Sequence, residues 1–128
     1  MDHIPFFSVI MPSYNRAKLI KRATKSVLNQ KFNNWELIII DDGSVDETQD
    51  VLRDFAKNNK KIKIIKTAHK GHVKARNAGI KIARGKFITF LDSDDEYKEQ
   101  HLLSRYIYLK NNQSVDAVHG GIEVIGNP

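Results

Sequence analysis

Two short runs, Asp41-Asp42-Gly43-Ser44 and Asp92-Ser93-Asp94-Asp95, concentrate carboxylates in a chain that is otherwise basic, with a formal charge of +6. Two unit charges about 4 Å apart repel by on the order of 4 kcal/mol at an effective dielectric of 20. If the runs meet in space, a cation or strong hydrogen-bond donors must offset that repulsion. Oxygen ligands of this kind suit magnesium, manganese or calcium. Each run also has an ordinary use when taken alone. Asp41-Asp42-Gly43 suits a strand-end turn, and Asp92 to Asp95 suits the cap of a following helix.

A second polar group is Gly71-His72-Val73-Lys74-Ala75-Arg76-Asn77-Ala78-Gly79. Gly71 precedes a helix whose N-terminus could face a phosphate. Arg76 and Asn77 offer donors to a diphosphate, a ribose or a neighbouring carboxylate. The same run also suits a basic helix whose small residues pack on a sheet. Gly79 costs about 1 kcal/mol against alanine inside a helix, so close packing would explain it. The glycine spacing is not a dinucleotide fingerprint. No Gly-rich loop ends in Lys-Ser or Lys-Thr, and no serine elbow is present. His3, His69, His72, His101 and His119 show no metal-ligand spacing and read as surface or packed residues. The absence of cysteine excludes disulfides and thiolate metal sites.

The elements that carry these groups alternate. Phe7 to Met11 reads as a buried strand. Leu19, Ile20, Ala23, Val27 and Leu28 follow at helical spacing, with Asn15 as N-cap. Trp35 to Ile40 is a strand, and Ser44 with Glu47 forms a capping-box pattern for a helix presenting Val51, Leu52, Phe55 and Ala56. Ile62 to Ile65 is a third strand, followed by a helix from about Val73 to Arg84 that Gly85 would end. Phe87 to Leu91 is the fourth strand. Leu102, Leu103, Tyr106 and Ile107 mark another helix, and Ala117 to Ile125 reads as a returning strand. This alternation predicts an α/β fold, a mostly parallel sheet with helices on both faces. All strand ends then share one edge, where such sheets bind ligands. Both acidic runs and Pro12-Ser13-Tyr14-Asn15-Arg16 fall at strand ends, which turns two ambiguous runs into one candidate site.

Ser8 to Arg16, Ser26 to Gln30, Trp35 to Ser44, Ala75 to Gly79, Arg84 to Ile88 and Phe90 to Asp95 together resemble glycosyltransferase family 2, in order and spacing, over about residues 8–103. The resemblance implies a GT-A (Rossmann-like) fold and an inverting transfer from a nucleotide diphosphate sugar, a UDP-sugar by first choice, to a saccharide or lipid-linked acceptor. It puts Pro12, Tyr14 and Asp41 around the base, with Asp41 accepting the imide hydrogen of uracil. It puts Asp92 or Ser93 near the ribose. Asp94 takes a divalent cation, Mn2+ or Mg2+, in what matches a DxD motif. Arg76 supports the acidic cluster or the phosphates, and Asn15, Arg16, Asp42 and Gly43 complete the nucleotide-binding set. It also implies polysaccharide or cell-envelope synthesis at the cytoplasmic face of the membrane, with peripheral association.

Residues 1–128 read as the nucleotide-sugar-binding part of such a domain. Family members carry the general base well beyond the acidic run, and Glu123 is a poor substitute. Donor binding with little or no transfer is therefore expected. A length of 128 residues with 41% hydrophobic content suits one packed domain. The longest apolar stretches fall short of the roughly 18 residues of a membrane span, and no basic n-region marks a signal peptide. Lysines and arginines crowd 57–86, but few aromatics interleave with them, so nucleic-acid stacking is not expected. A receiver-like magnesium module would need acids after its first and third strands. A nucleotidyltransferase would need a Gly-rich basic loop after the first strand.

Overall fold

Strands and helices alternate throughout the computed structural model, which describes residues 4–120. The strands are β1 (Phe7–Ser13), β2 (Trp35–Asp41), β3 (Ile62–Lys66) and β4 (Phe87–Phe90). The helices are α1 (Ala17–Leu28), α2 (Thr48–Asn58), α3 (His72–Ile82) and α4 (His101–Asn111). All pairings are parallel, in the order β3-β2-β1-β4.

β1 and β2 are buried along their whole length. A central parallel strand is covered on both faces, which is why these segments read as unbroken apolar runs. Alternate side chains serve opposite faces. Phe7, Val9, Met11, Trp35, Leu37 and Ile39 pack with Ile20, Ala23 and Val27 of α1, Leu52 of α2, and Leu102 and Leu109 of α4. Ile10, Ile38 and Ile40 face Ala75 of α3 on the other side. Gly79 is there for room: a β-carbon would lie 2.8 Å from Ile40 Cδ1 and 2.9 Å from Ile10 Cγ2.

The chain steps outward from β1 to β3, then α3 carries it back to β4 on the far side of β1. The order therefore reverses at β1, and a crevice opens where the carboxyl ends of β1 and β4 part.

Helix ends depart from the local rules. Arg16, not Asn15, occupies the N-cap of α1 and makes no side-chain cap. Asn15 adopts a positive φ of 49° and turns toward a neighbouring loop. The Ser44–Glu47 capping box does not form, because Glu47 is itself the N-cap of α2 and the Ser44 hydroxyl accepts from Asn15 N instead, at 2.9 Å. α3 ends at Ile82, with Ala83 as C-cap. Gly85 is needed for its close approach to β1 rather than for a left-handed turn. Of the strand expected over 117–125, residues 117–120 carry no regular structure and the rest lies outside the described residues.

Behind β4, the ring of Tyr97 stacks on His101, with centroids 3.8 Å apart and planes 11° from parallel. Burial, helped by Arg105, pushes His101 down to about 4 from its ordinary 6.5. Burial pushes the Tyr97 hydroxyl up to about 12, against the opposing bond with Thr89. A histidine kept neutral in the fold but free to protonate when unfolded contributes stability above pH 6.5, lost as the pH falls toward about 4. Chemical denaturation across that window should show wild type weakening with acid and His101→Gln holding flatter, a difference capped at about 3 kcal/mol. Parallel pH profiles for the two would contradict this.

Candidate functional site

The crevice at the switch in strand order measures about 460 Å3. Pro12, Ser13, Tyr14 and Arg16 line it from the end of β1, and Asp92, Ser93 and Asp94 from the end of β4. Asp42, His69, Gly71, His72 and Arg76 complete it from β2, the β3–α3 loop and α3. A larger hollow of about 740 Å3 lies between β4 and α4 and contains neither acidic run. The smaller crevice is therefore the candidate site.

Asp41 ends β2 and pairs in register with Ser13 of β1. Its side chain is fully buried. One carboxylate oxygen accepts from Ser44 N at 3.2 Å, while Oδ2 has no partner, and neither does the buried Ser13 hydroxyl beside it. Unpaired buried polar atoms are rare and costly, and two on adjacent strand ends point to a missing hydrogen-bonding partner. Among the described residues, Asp41, Asn15 and Gly43 do not line the crevice wall, in contrast to the other expected nucleotide-binding residues.

Asp42 spends its carboxylate differently. It accepts from Thr67 Oγ1 at 2.6 Å, Lys70 N at 2.8 Å and Gly71 N at 2.9 Å. Burial alone would raise its carboxyl. These bonds, with the charge of His69, hold it below the usual carboxylate range instead. It thereby fastens the β3–α3 loop to the sheet edge. Gly71, at φ 95°, lets that loop enter α3.

His69, which the sequence marks only as one histidine among five, stands on this loop. Its ring stacks on Tyr14 with centroids 4.0 Å apart. The two rings form one rim of the crevice, and His72 joins the lining nearby. The only hint in the sequence is the proximity of both histidines to Gly71. Asn77 is exposed and is not part of the lining.

The β1–α1 and β2–α2 loops cap one another. Asn15 N donates to Ser44 Oγ, and Arg16 N to Thr48 Oγ1 at 3.1 Å. In return, Asn15 Oδ1 accepts from Val45 N at 2.8 Å. The polar groups that helix starts leave open are satisfied across loops rather than within each helix.

At the opposite wall, Asp95 N donates to Asp92 O at 2.9 Å, closing a tight turn. Carboxylate oxygens of Asp92, Asp94 and Asp95 come within 4.8 Å of one another, a set of hard, exposed donors that fits a magnesium- or manganese-sized cation. Asp92 Oδ1 accepts from Arg76 Nη2 at 2.9 Å, which ties α3 to the acidic turn. The Arg76 guanidinium also lies over Phe90, 5.6 Å from the ring centre. Burial and the neighbouring Asp94 and Asp92 push the Asp95 carboxyl up, with Arg22 opposing.

Residues 8–127 match the family model described as glycosyl transferase family 2. The chain is 40% identical over 122 residues to the UDP-Glc:alpha-D-GlcNAc-diphosphoundecaprenol beta-1,3-glucosyltransferase WfgD of Escherichia coli, covering 94% of this chain and 47% of that protein. Among solved structures, it is similar to S. aureus TarS 1-349 in complex with UDP-GlcNAc. The TM-score is 0.78 at 31% identity, covering 84% of this chain and 32% of that one. The UDP complex of the same protein aligns with the same TM-score of 0.78, 31% identity and coverage of 84% and 32%. The chain spans about half the length of the curated relatives it matches.

Proposed function

Because the chain belongs to glycosyl transferase family 2 and its parallel sheet is part of a GT-A fold, we propose that it binds a nucleotide diphosphate sugar, a UDP-sugar, for inverting transfer to a saccharide or lipid-linked acceptor. The observation that carries this reading is an orphaned buried carboxylate oxygen on Asp41, next to the Ser13 and Asp42 that line one end of the crevice, with an acidic turn lining its other wall. Uracil offers an imide N–H, the donor that Asp41 Oδ2 lacks. Tyr14 offers a ring face beside it, with Pro12, Asn15, Arg16, Asp42 and Gly43 shaping this end. Asp92 or Ser93 meets the ribose. TarS bound to UDP-GlcNAc and the UDP-Glc specificity in the name of the E. coli relative favour uridine.

Asp94, with Asp92 beside it, would hold a divalent cation, Mn2+ or Mg2+. When bound, that cation stabilises charge on the diphosphate leaving group. Arg76 keeps Asp92 in place. Inversion requires the acceptor hydroxyl to attack from the face opposite the diphosphate, and a general base must take its proton. The family resemblance puts that base well beyond the acidic turn, so donor binding is the part these residues would play. The lipid-linked acceptor in the name of the E. coli relative fits work at the inner face of the cell membrane. No helix among the described residues is long and apolar enough to cross one.

Calorimetry with UDP, GDP and dTDP, each with and without manganese, tests this. UDP should bind tightest, and only with manganese at full strength. Asp41→Asn should weaken UDP binding, and dTDP binding with it, because thymine carries the same imide N–H. Equal binding of all three by wild type contradicts the base assignment. Robust sugar transfer by the 128-residue chain contradicts the division of labour.

A further inference from the structure

Arg22, Ser26 and Gln30 recur at intervals of four along α1 and just past its end, so they form one row. Each bonds the main chain of the segment after β4. Gln30 Nε2 donates to Lys98 O at 2.7 Å, and its Oε1 accepts from Leu102 N at 2.9 Å. Ser26 Oγ accepts from Tyr97 N at 3.0 Å. Arg22 Nη2 donates to Asp94 O at 2.7 Å, and its Nε pairs with Glu96 Oε2 at 3.6 Å. Ser26 and Gln30 fix the path of the segment. Arg22 alone of the three reaches the acidic turn itself, and does so at the peptide of Asp94.

Resting on the donor-site reading above, we propose that Arg22 is a positioning residue for Asp94. By holding the Asp94 carbonyl, it fixes the torsions that keep the carboxylate gathered with Asp92 and Asp95. Arg76 does the matching work from the other face of the sheet, through the side chain of Asp92. The two arginines thus brace the turn from α1 and from α3. Arg22 commits its hydrogen bond to main chain and its ion pair to Glu96, outside the cluster, while its charge also reaches Asp95.

The sign of one measurement separates this role from a counter-charge. A guanidinium near the turn opposes cation entry by simple repulsion, so a counter-charge role predicts tighter metal binding when it is removed. Positioning predicts weaker binding. Manganese alone is titrated into wild type, Arg22→Met, Arg22→Lys and Asp94→Ala, with free ion read by electron paramagnetic resonance. Arg22→Met should bind manganese about tenfold more weakly, the scale on which outer-shell partners act. Its melting temperature should stay close to wild type, because Ser26 and Gln30 still hold the segment. Arg22→Lys, which can still donate to the carbonyl, should recover part of the loss. Unchanged or tighter binding by Arg22→Met overturns the proposal. Wild-type binding that survives Asp94→Ala overturns instead the assignment of Asp94 on which it rests.

Discussion

Asp94→Ala should remove the manganese dependence of UDP binding, lowering affinity in the presence of the metal by about 100-fold, nearly 3 kcal/mol. The three carboxylates of the turn are not equivalent. Asp92 commits one oxygen to Arg76. Burial and its two acidic neighbours push the Asp95 carboxyl up, which favours its protonated form and makes it a weaker ligand. Asp94 is exposed, and its carboxylate has no hydrogen-bond or ion partner among the described residues. It is therefore the group whose loss removes a cation contact without breaking the fold. Affinity for UDP without metal should be unchanged, and thermal stability should hold or rise slightly as like-charge repulsion is relieved. Paired calorimetric titrations with and without manganese decide the matter. An Asp94→Ala protein that binds the UDP–manganese complex like wild type would sink the assignment.

Gly85→Ala should be the most damaging of the glycine-to-alanine changes among the described residues. A β-carbon there would stand 2.5 Å from Ser8 N, 2.6 Å from Ser8 Oγ and 2.8 Å from the Phe7 carbonyl carbon. These are atoms of a central strand, and they cannot give as a side-chain tip can. Ser8 Oγ accepts from Gly85 N at 2.7 Å and donates to Glu36 at 2.8 Å. Glu36 is buried and also accepts from Arg84 N at 2.8 Å and Lys63 Nζ at 3.2 Å. Burial alone would raise its carboxyl, but these donors hold it below the ordinary range. Displacing β1 would strain this network as well as the sheet. A loss of about 3 kcal/mol follows, or about 10 °C in melting temperature for a chain of this size. Gly71→Ala is the contrast. Nothing lies within 4 Å of its added carbon, so only the backbone costs: φ 95° with ψ 159° is a region almost confined to glycine, at on the order of 1–3 kcal/mol. A Gly85→Ala protein that melts like wild type would refute the close approach at Gly85.

The strands and the strand-end clusters could be read in advance because burial of β1 and β2 on both faces leaves continuous apolar runs with polar residues massed where they stop. Gly79 could be read for a similar reason, since its helical cost demanded a packing cause. The caps could not. Asn15 and Ser44 are each ordinary helix-start residues, but their partners sit 29 positions apart, and cap rules look only three or four residues ahead. Arg22 was invisible because an arginine on an exposed helix face looks like any solubilising charge until the acidic turn folds against it. His69 and His72 were hidden by the opposite habit: judged for metal-ligand spacing, they gave no reason to expect a ring stacked on Tyr14.

The mutual capping of the β1–α1 and β2–α2 loops carries an evolutionary consequence. The loops flank the proposed base end, and each supplies bonds that the other needs. Neither can drift alone. A descendant that traded Asn15 for a residue better matched to a different base would lose the bond to Val45 N, and one that altered Ser44 would take the acceptor from Asn15 N. Changes of nucleotide preference in this lineage should therefore arrive as paired substitutions across the two loops, inherited as one module.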